Sequence, residues 1–252
     1  GVQAAVVLRA TPSDSDTVHL AAVNSASESP ETLRLRAGRA ADRLADSKVA
    51  VVGAGAIGSF VCDLLTRAGV AAVTVIDHDV LRPGNLIRHV AGAESVGRAK
   101  PDAIRNCLEA RPYNRSRVVA DARSVNSPRE VMKLFGNHHP VIDATAAGGT
   151  TDLLAKAAEA GGHHVLSVCV QEDGNVVRVD ILPPPDGQPL PQVTTQGHGA
   201  RQDLRFEAGC GDPVSLTPAF AIFEAASLTV RLAVDLLTGH PPTSSGIVRD
   251  YR

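Results

Sequence analysis

The sequence predicts an α/β protein: a doubly wound, Rossmann-like, mostly parallel sheet with helices on both faces, a long crossover loop and a small N-terminal appendage. Two observations carry this expectation. Short apolar, β-branched runs recur at residues 48–52, 72–76, 118–120, 141–142 and 165–170, and stretches with helical periodicity separate them. Such alternation reads as strand–helix–strand units, and a strand covered on both faces loses the polar alternation of a half-exposed one. The second observation is the turn Gly53-Ala54-Gly55-Ala56-Ile57-Gly58, placed directly after the first run and before a helical stretch. At 252 residues the chain can bury one substantial core.

Taken in order, residues 1–30 hold two apolar runs, 4–8 and 18–23, joined by a Ser/Asp/Thr/Pro turn and followed by a Ser/Glu/Pro linker. They predict a small hairpin appendage. The chain opens on Gly1 rather than Met, which reads as a processed chain or a part of a larger protein. Residues 31–252 are expected to form the main domain. Helices are predicted from residue 33 towards the first strand, then over about 56–68, 100–110, 128–135, 150–160 and 214–237. Residues 176–182 read as a later strand. Pro183-Pro184-Pro185 opens a polar loop to about residue 211, and a loop that long inside a compact domain is usually functional.

The glycine turn has the spacing G-x-G-x-x-G at Gly53, Gly55 and Gly58. Such glycines permit a tight turn, close approach of a phosphate and tight helix–strand packing, while the following helix aims its unpaired N–H groups at that phosphate. Asp77 stands nineteen residues after Gly58, at the end of the next apolar run, where a carboxylate accepts hydrogen bonds from a ribose. Asp79, Asn85, Arg88 and Lys100 follow. An amide, a guanidinium and an ammonium just beyond a nucleotide site suit adenylation, in which a carboxylate attacks the α-phosphate of ATP and negative charge builds on the phosphate oxygens. Arg88 is the bidentate clamp of such a set and Lys100 a compact point charge. A nicotinamide-dependent oxidoreductase accounts for the glycines and Asp77 but leaves Asn85, Arg88 and Lys100 without a role.

The series GAGAIGS, VIDHDVLRPGNLIRH, VGRAK and IDATAA resembles the ThiF/MoeB/ubiquitin-activating-enzyme superfamily, in particular its divergent bacterial members, over roughly residues 36–252. The resemblance implies an enzyme that binds ATP and Mg²⁺ and adenylates the C-terminal carboxylate of a ubiquitin-like or sulfur-carrier protein, or of a peptide. It assigns Gly53, Gly55 and Gly58 to the phosphate turn, Asp77 to the ribose, and Asp79, Asn85, Arg88 and Lys100 to the phosphate and catalytic set. It also implies a homodimer or pseudo-dimer, with an Arg ahead of the first strand reaching the partner's site; Arg39 is the choice among Arg34, Arg36, Arg39 and Arg43. His89 stands where the sulfur-carrier enzymes usually have Gln. One departure concerns the metal. The family commonly reads D-x-T-D here, and the last Asp helps hold Mg²⁺; this chain reads Asp143-Ala144-Thr145-Ala146. Either Asp143 or another acid such as Asp79 serves the metal, or the chemistry is altered or lost. The departure keeps open a non-catalytic module of the same fold that only binds a peptide.

Four cysteines are present, Cys62, Cys107, Cys169 and Cys210, none spaced C-x-x-C, so no zinc site is expected. Cys62, Cys107 and Cys169 fall in helical or strand-like apolar runs and read as buried. Cys210 lies in a Gly-flanked junction before the last helix, where a lowered pKa suits a nucleophile; the resemblance makes it the candidate thioester acceptor. His138-His139 and His163-His164 read as structural, because neighbours on a strand point to opposite faces. A net charge of −2 and a set of only five Phe, two Tyr and no Trp argue against a nucleic-acid partner. No apolar run reaches the length of a membrane span, and no signal-peptide pattern opens the chain. Unpaired cysteines and nucleotide chemistry favour a reducing, cytoplasmic setting.

Overall fold

The computed structural model describes residues 7–13, 17–23, 27, 29, 32, 35–193, 215–240 and 244–252. The chain divides into two units, residues 1–36 and 37–252. In the first, β1 (Val7–Pro12) and β2 (Val18–Val23) pair antiparallel, with Val7 opposite Val23 and Pro12 opposite Val18. Strand alternation places Leu8, Ala10 and Pro12 on one face with Ala22, Leu20 and Val18.

The second unit is built on a seven-stranded sheet: β3 (Lys48–Val52), β4 (Ala72–Ile76), β5 (Arg117–Asp121), β6 (Val141–Asp143), β7 (Val165–Gln171), β8 (Val176–Leu182) and β9 (Gly246–Asp250). Its order is β5-β4-β3-β6-β7-β8-β9. Strands β3 to β7 pair parallel, and β8 and β9 add antiparallel at one edge. The helices are α1 (Ala41–Leu44), α2 (Ala56–Ala68), α3 (Lys100–Glu109), α4 (Pro128–Asn137), α5 (Gly148–Gly161) and α6 (Ala219–Leu237).

The continuous apolar character of β3 follows from two cores, one on each face. Val49 and Val51 pack with Val61, Leu65, Ile104, Ala225 and Ala226, on the side of α2, α3 and α6. Ala50 and Val52 pack with Val131, Leu134, Leu154 and Ala158, on the side of α4 and α5. Each such fully buried valine contributes about 1.5–3 kcal/mol. Beyond β7 the second layer thins: Val177, Val179 and Ile181 of β8 are buried against α6, while Arg178 and Asp180 between them are half-buried. The alternation of β8 is that of an antiparallel strand with one covered face.

Two expected elements differ. The last helix starts at Ala219, not near 214, because Pro218 is its N-cap and Ser215 to Thr217 are not helical; a proline also disfavours helical backbone in the residue before it. Of the helical stretch expected ahead of β3, residues 33 and 34 lie outside the described residues, residues 35–40 are not helical, and the four-residue α1 follows a turn at Arg39 and Ala40.

The chain leaves β3 outward through β4 and β5, then returns to β6 on the other side of β3. A crevice opens at the carboxyl ends of the strands where the order reverses.

Candidate active site

A cleft of about 300 Å³ occupies that crevice. Its walls include Val52, Gly53 and Gly55 after β3, Asp77 and Asp79 after β4, Lys100, the loop 123–126 after β5, and Thr145, Ala147 and Thr150 beyond β6.

The glycine turn is shaped by backbone contacts. Gly53 has φ +97°, and a Cβ there would lie 2.7 Å from the Ala144 carbonyl carbon and oxygen. A Cβ on Gly58 would lie 1.8 Å from the Gly53 carbonyl oxygen. These two glycines are required by packing. Gly55 is different: it is the N-cap of α2, and a Cβ there would meet nothing within 4 Å. A ligand can therefore approach the N-terminus of α2 at Gly55, where free N–H groups and the helix dipole favour an anion.

Asp77 ties the turn to the end of β4. Its Oδ2 accepts the Ala54 N–H at 2.7 Å and its Oδ1 the Asp79 N–H at 2.8 Å. Each carboxylate oxygen has two acceptor positions, so one on each remains for a vicinal pair of hydroxyls. His89, a residue whose part sequence reasoning missed, supports the same turn from below. It is buried; its Nε2 lies 3.0 Å from the Ala54 carbonyl, and its Nδ1 accepts the Ala91 N–H at 3.1 Å. The two partners assign the neutral, Nε2-protonated tautomer. Burial lowers its pKa, and Lys100 adds to the lowering.

Lys100 opens α3, and its Nζ donates to Asp79 Oδ2 at 2.7 Å. The Lys100 N–H also donates to the Asp79 carbonyl at 2.8 Å, which fixes the two segments together. The hydrogen bond from Lys100 holds the Asp79 carboxyl below the usual carboxylate range. Asp77, His78 and Asp79 have ligand-type atoms within 4.8 Å of one another, the single such group among the described residues.

Asn85 and Arg88 sit on a 3₁₀ segment (Pro83–Arg88) and are not in the cleft wall. Asn85 Oδ1 accepts the Arg82 N–H at 3.0 Å. Arg88 Nη1 donates to the Thr217 carbonyl at 3.0 Å and to Ser215 Oγ at 3.3 Å, just ahead of α6. Asp143 is 1% exposed. Its Oδ1 accepts the Thr145 N–H at 3.0 Å and the Thr145 hydroxyl at 2.6 Å; its Oδ2 accepts Thr151 Oγ1 at 2.5 Å and Ser167 Oγ at 3.1 Å. Four donors occupy its four acceptor positions. Ala146 is exposed, with φ +53°. Arg39 is exposed on the turn before α1. Cys210 lies outside the described residues. Cys62 is fully buried and desolvation raises its pKa; desolvation also raises that of half-buried Cys169.

Sequence reasoning missed the wall after β5. Arg123 Nε donates to Asp121 Oδ2 at 2.7 Å and its Nη1 to Glu130 Oε1 at 2.9 Å. The general rule that ligands lie at the carboxyl ends of parallel strands was the available signal.

The ThiF family model matches residues 31–249. The chain belongs to the ThiF family. Among curated relatives, the uncharacterized protein y4qC of Sinorhizobium fredii (strain NBRC 101917 / NGR234) is 29% identical over 219 residues, covering 77% of this chain and 37% of that protein. The molybdopterin-synthase adenylyltransferase of Escherichia coli K12 is 24% identical over 212 residues, 83% of this chain and 80% of that enzyme. Among solved structures, E. coli MccB with ATP superposes with a TM-score of 0.59 at 17% identity, covering 84% of this chain and 66% of MccB. At that identity the likeness concerns the fold. The chain spans under two fifths of the length of y4qC. No helix among the described residues is long and apolar enough to cross a membrane.

Proposed function

We propose that this ThiF-family chain binds Mg·ATP in the cleft and adenylates the C-terminal carboxylate of a peptide or of a small carrier protein of ubiquitin-like or sulfur-carrier type. The observation that carries this reading is the juxtaposition of Asp77, which keeps an acceptor for each of two hydroxyls, with Gly55 at the open end of α2 and the Lys100 ammonium on the same cleft. That set matches ribose, phosphates and a charge that stabilises phosphoryl transfer. The relatedness to an adenylyltransferase, and to MccB, which has been crystallised with ATP and with MccA, supports it.

In the reaction, a carboxylate oxygen of the substrate bonds to the α-phosphorus, the bond from that phosphorus to the bridging oxygen breaks, and pyrophosphate leaves with the electron pair. The N-terminal N–H groups of α2 hold the phosphate oxygens, and Asp77 orients the ribose. Lys100 neutralises charge as it builds. Arg88 reaches the phosphates by giving up Thr217 and Ser215, which couples nucleotide arrival to the segment ahead of α6. Mg²⁺ supplies Lewis-acid neutralisation of the phosphates when bound. Asp79, an exposed carboxylate at the cleft, is the better ligand for it than Asp143, whose acceptor positions are filled. Asn85 orients the 3₁₀ segment. Cys210 is the candidate acyl acceptor, Arg39 the candidate residue for a partner protomer of a homodimer or pseudo-dimer, and residues 31–252 the adenylation domain carrying an appendage at 1–30. The unpaired cysteines favour a cytoplasmic setting.

Ala146 and the saturated Asp143 favour a second reading, a peptide-binding module without catalysis. Ligand-induced thermal stabilisation separates the readings, because a ligand that binds only the native state raises its stability. Mg·ATP is expected to raise the unfolding midpoint of the wild type and to do so less for Arg88→Ala. A shift with NAD alone overturns the proposal, and no shift with either nucleotide points to the module.

A further inference from the structure

Strand order determines which part of a nucleotide meets the loop after β5. Along the sheet the glycine turn ends β3, Asp77 follows β4, and Arg123 lies two residues beyond β5. The Asp77 N–H donates to the Asp121 carbonyl at 3.2 Å, tying the last two ends together. A nucleotide with phosphates at Gly55 and ribose on Asp77 therefore carries its base toward residues 123–126.

Arg123 meets that base with a guanidinium locked in orientation. Asp121, at the end of β5, takes its Nε–H, and Glu130, in the first turn of α4, takes Nη1. Glu130 is itself fixed: its Oε2 accepts the Asn126 N–H and the Ser127 hydroxyl, each at 3.1 Å. The bond to Asp121 raises the Arg123 pKa, so the group stays cationic. Its edge is engaged by two carboxylates from two elements, yet the side chain is 42% exposed and forms part of the cleft wall. Two of its five N–H donors are used in this way, and the planar face is also open to a ligand. Guanidinium planes stack on aromatic rings and are drawn to their π faces.

We propose that Arg123 is the platform on which the base of the bound nucleotide stacks, so that the cleft prefers a purine through the area of that stack. The inference rests on the nucleotide-binding reading above. It is tested by titrating the full chain with Mg·ATP, Mg·CTP and inorganic triphosphate, comparing wild type with Arg123→Lys and Arg123→Ala. Lysine keeps the charge and loses the plane. The wild type is expected to favour ATP over CTP, and both variants to lose about tenfold in ATP affinity while binding triphosphate as before. A preference for ATP that survives both substitutions removes Arg123 from the base site and leaves the nucleotide reading intact. An equal loss for triphosphate also overturns the platform, since it marks a charge or folding effect. A wild type that binds no ATP removes the nucleotide reading itself, and this inference with it.

Discussion

The two rims of the cleft are made from similar residues and put to different uses. On the rim formed by β3 and β4, Asp77 accepts one backbone N–H on each oxygen and keeps an acceptor position on each. On the rim formed by β6, Asp143 is filled by Thr145, Thr151 and Ser167 and is 1% exposed. Both are aspartates at or just past the end of a parallel strand, on the two strands that flank β3. A carboxylate at such a place thus belongs to a ligand or to the fold according to how many donors its neighbours bring. The first rim keeps acceptor positions open, and the second braces the start of α5.

The contrast can be broken most severely at Gly58. In Gly58→Ala the new Cβ falls on the Gly53 carbonyl oxygen, so turn and helix must part. We expect a loss of about 3 kcal/mol in urea unfolding, together with loss of nucleotide-induced stabilisation. A variant that keeps both would mean that the turn is not packed as described.

Asp143→Asn tests the second rim directly. The amide turns one acceptor into a donor facing donors, and we expect a stability loss of about 1–3 kcal/mol with the shift induced by Mg·ATP preserved. The reverse pattern, normal stability with loss of magnesium-dependent stabilisation, would return Asp143 to the metal site.

A pH series sharpens the first rim. His89 is buried neutral beneath the turn, so its folded pKa lies below its ordinary value of 6.5; burial lowers those of His138 and His139 in the same way. For such groups the unfolded chain binds more protons, so stability rises with pH. Their contribution is complete above 6.5 and is lost as pH falls through the depressed folded values. Unfolding midpoints measured at pH 7.5 and 5.5 should drop on acidification, and less so for His89→Gln. An amide can still donate to Ala54 and accept from Ala91, without titrating. An identical drop in that variant would remove His89 from the account.

The smallest expected effect is at Ala146. The backbone there is left-handed, a conformation Asp tolerates better than Ala. Ala146→Asp is expected to change stability by no more than about 0.5 kcal/mol and to strengthen the magnesium dependence of nucleotide stabilisation. An unchanged magnesium response would place the metal site away from this rim.

The strands were legible in the amino-acid sequence because apolar periodicity rests on neighbours a few residues away, and the glycine turn and Asp77 because their spacing along the chain is itself a pattern. Apolar periodicity marked β3 to β7, and the spacing of Gly53, Gly55 and Gly58 marked the turn, although the backbone that excludes a side chain at Gly53 is that of distant Ala144. Even the late start of α6 is a local proline effect that closer reading of Pro218 would have found. Other properties depend on partners that sequence spacing does not reveal. Asp143 is saturated by Thr151 and Ser167, eight and twenty-four residues on. His89 meets Ala54 across thirty-five residues, and Arg88 meets Thr217 across one hundred and twenty-nine. A residue type states how many hydrogen bonds a group can make; which of them are already made depends on where distant segments pack, and that occupancy separates a carboxylate open to a ligand from one that holds the fold.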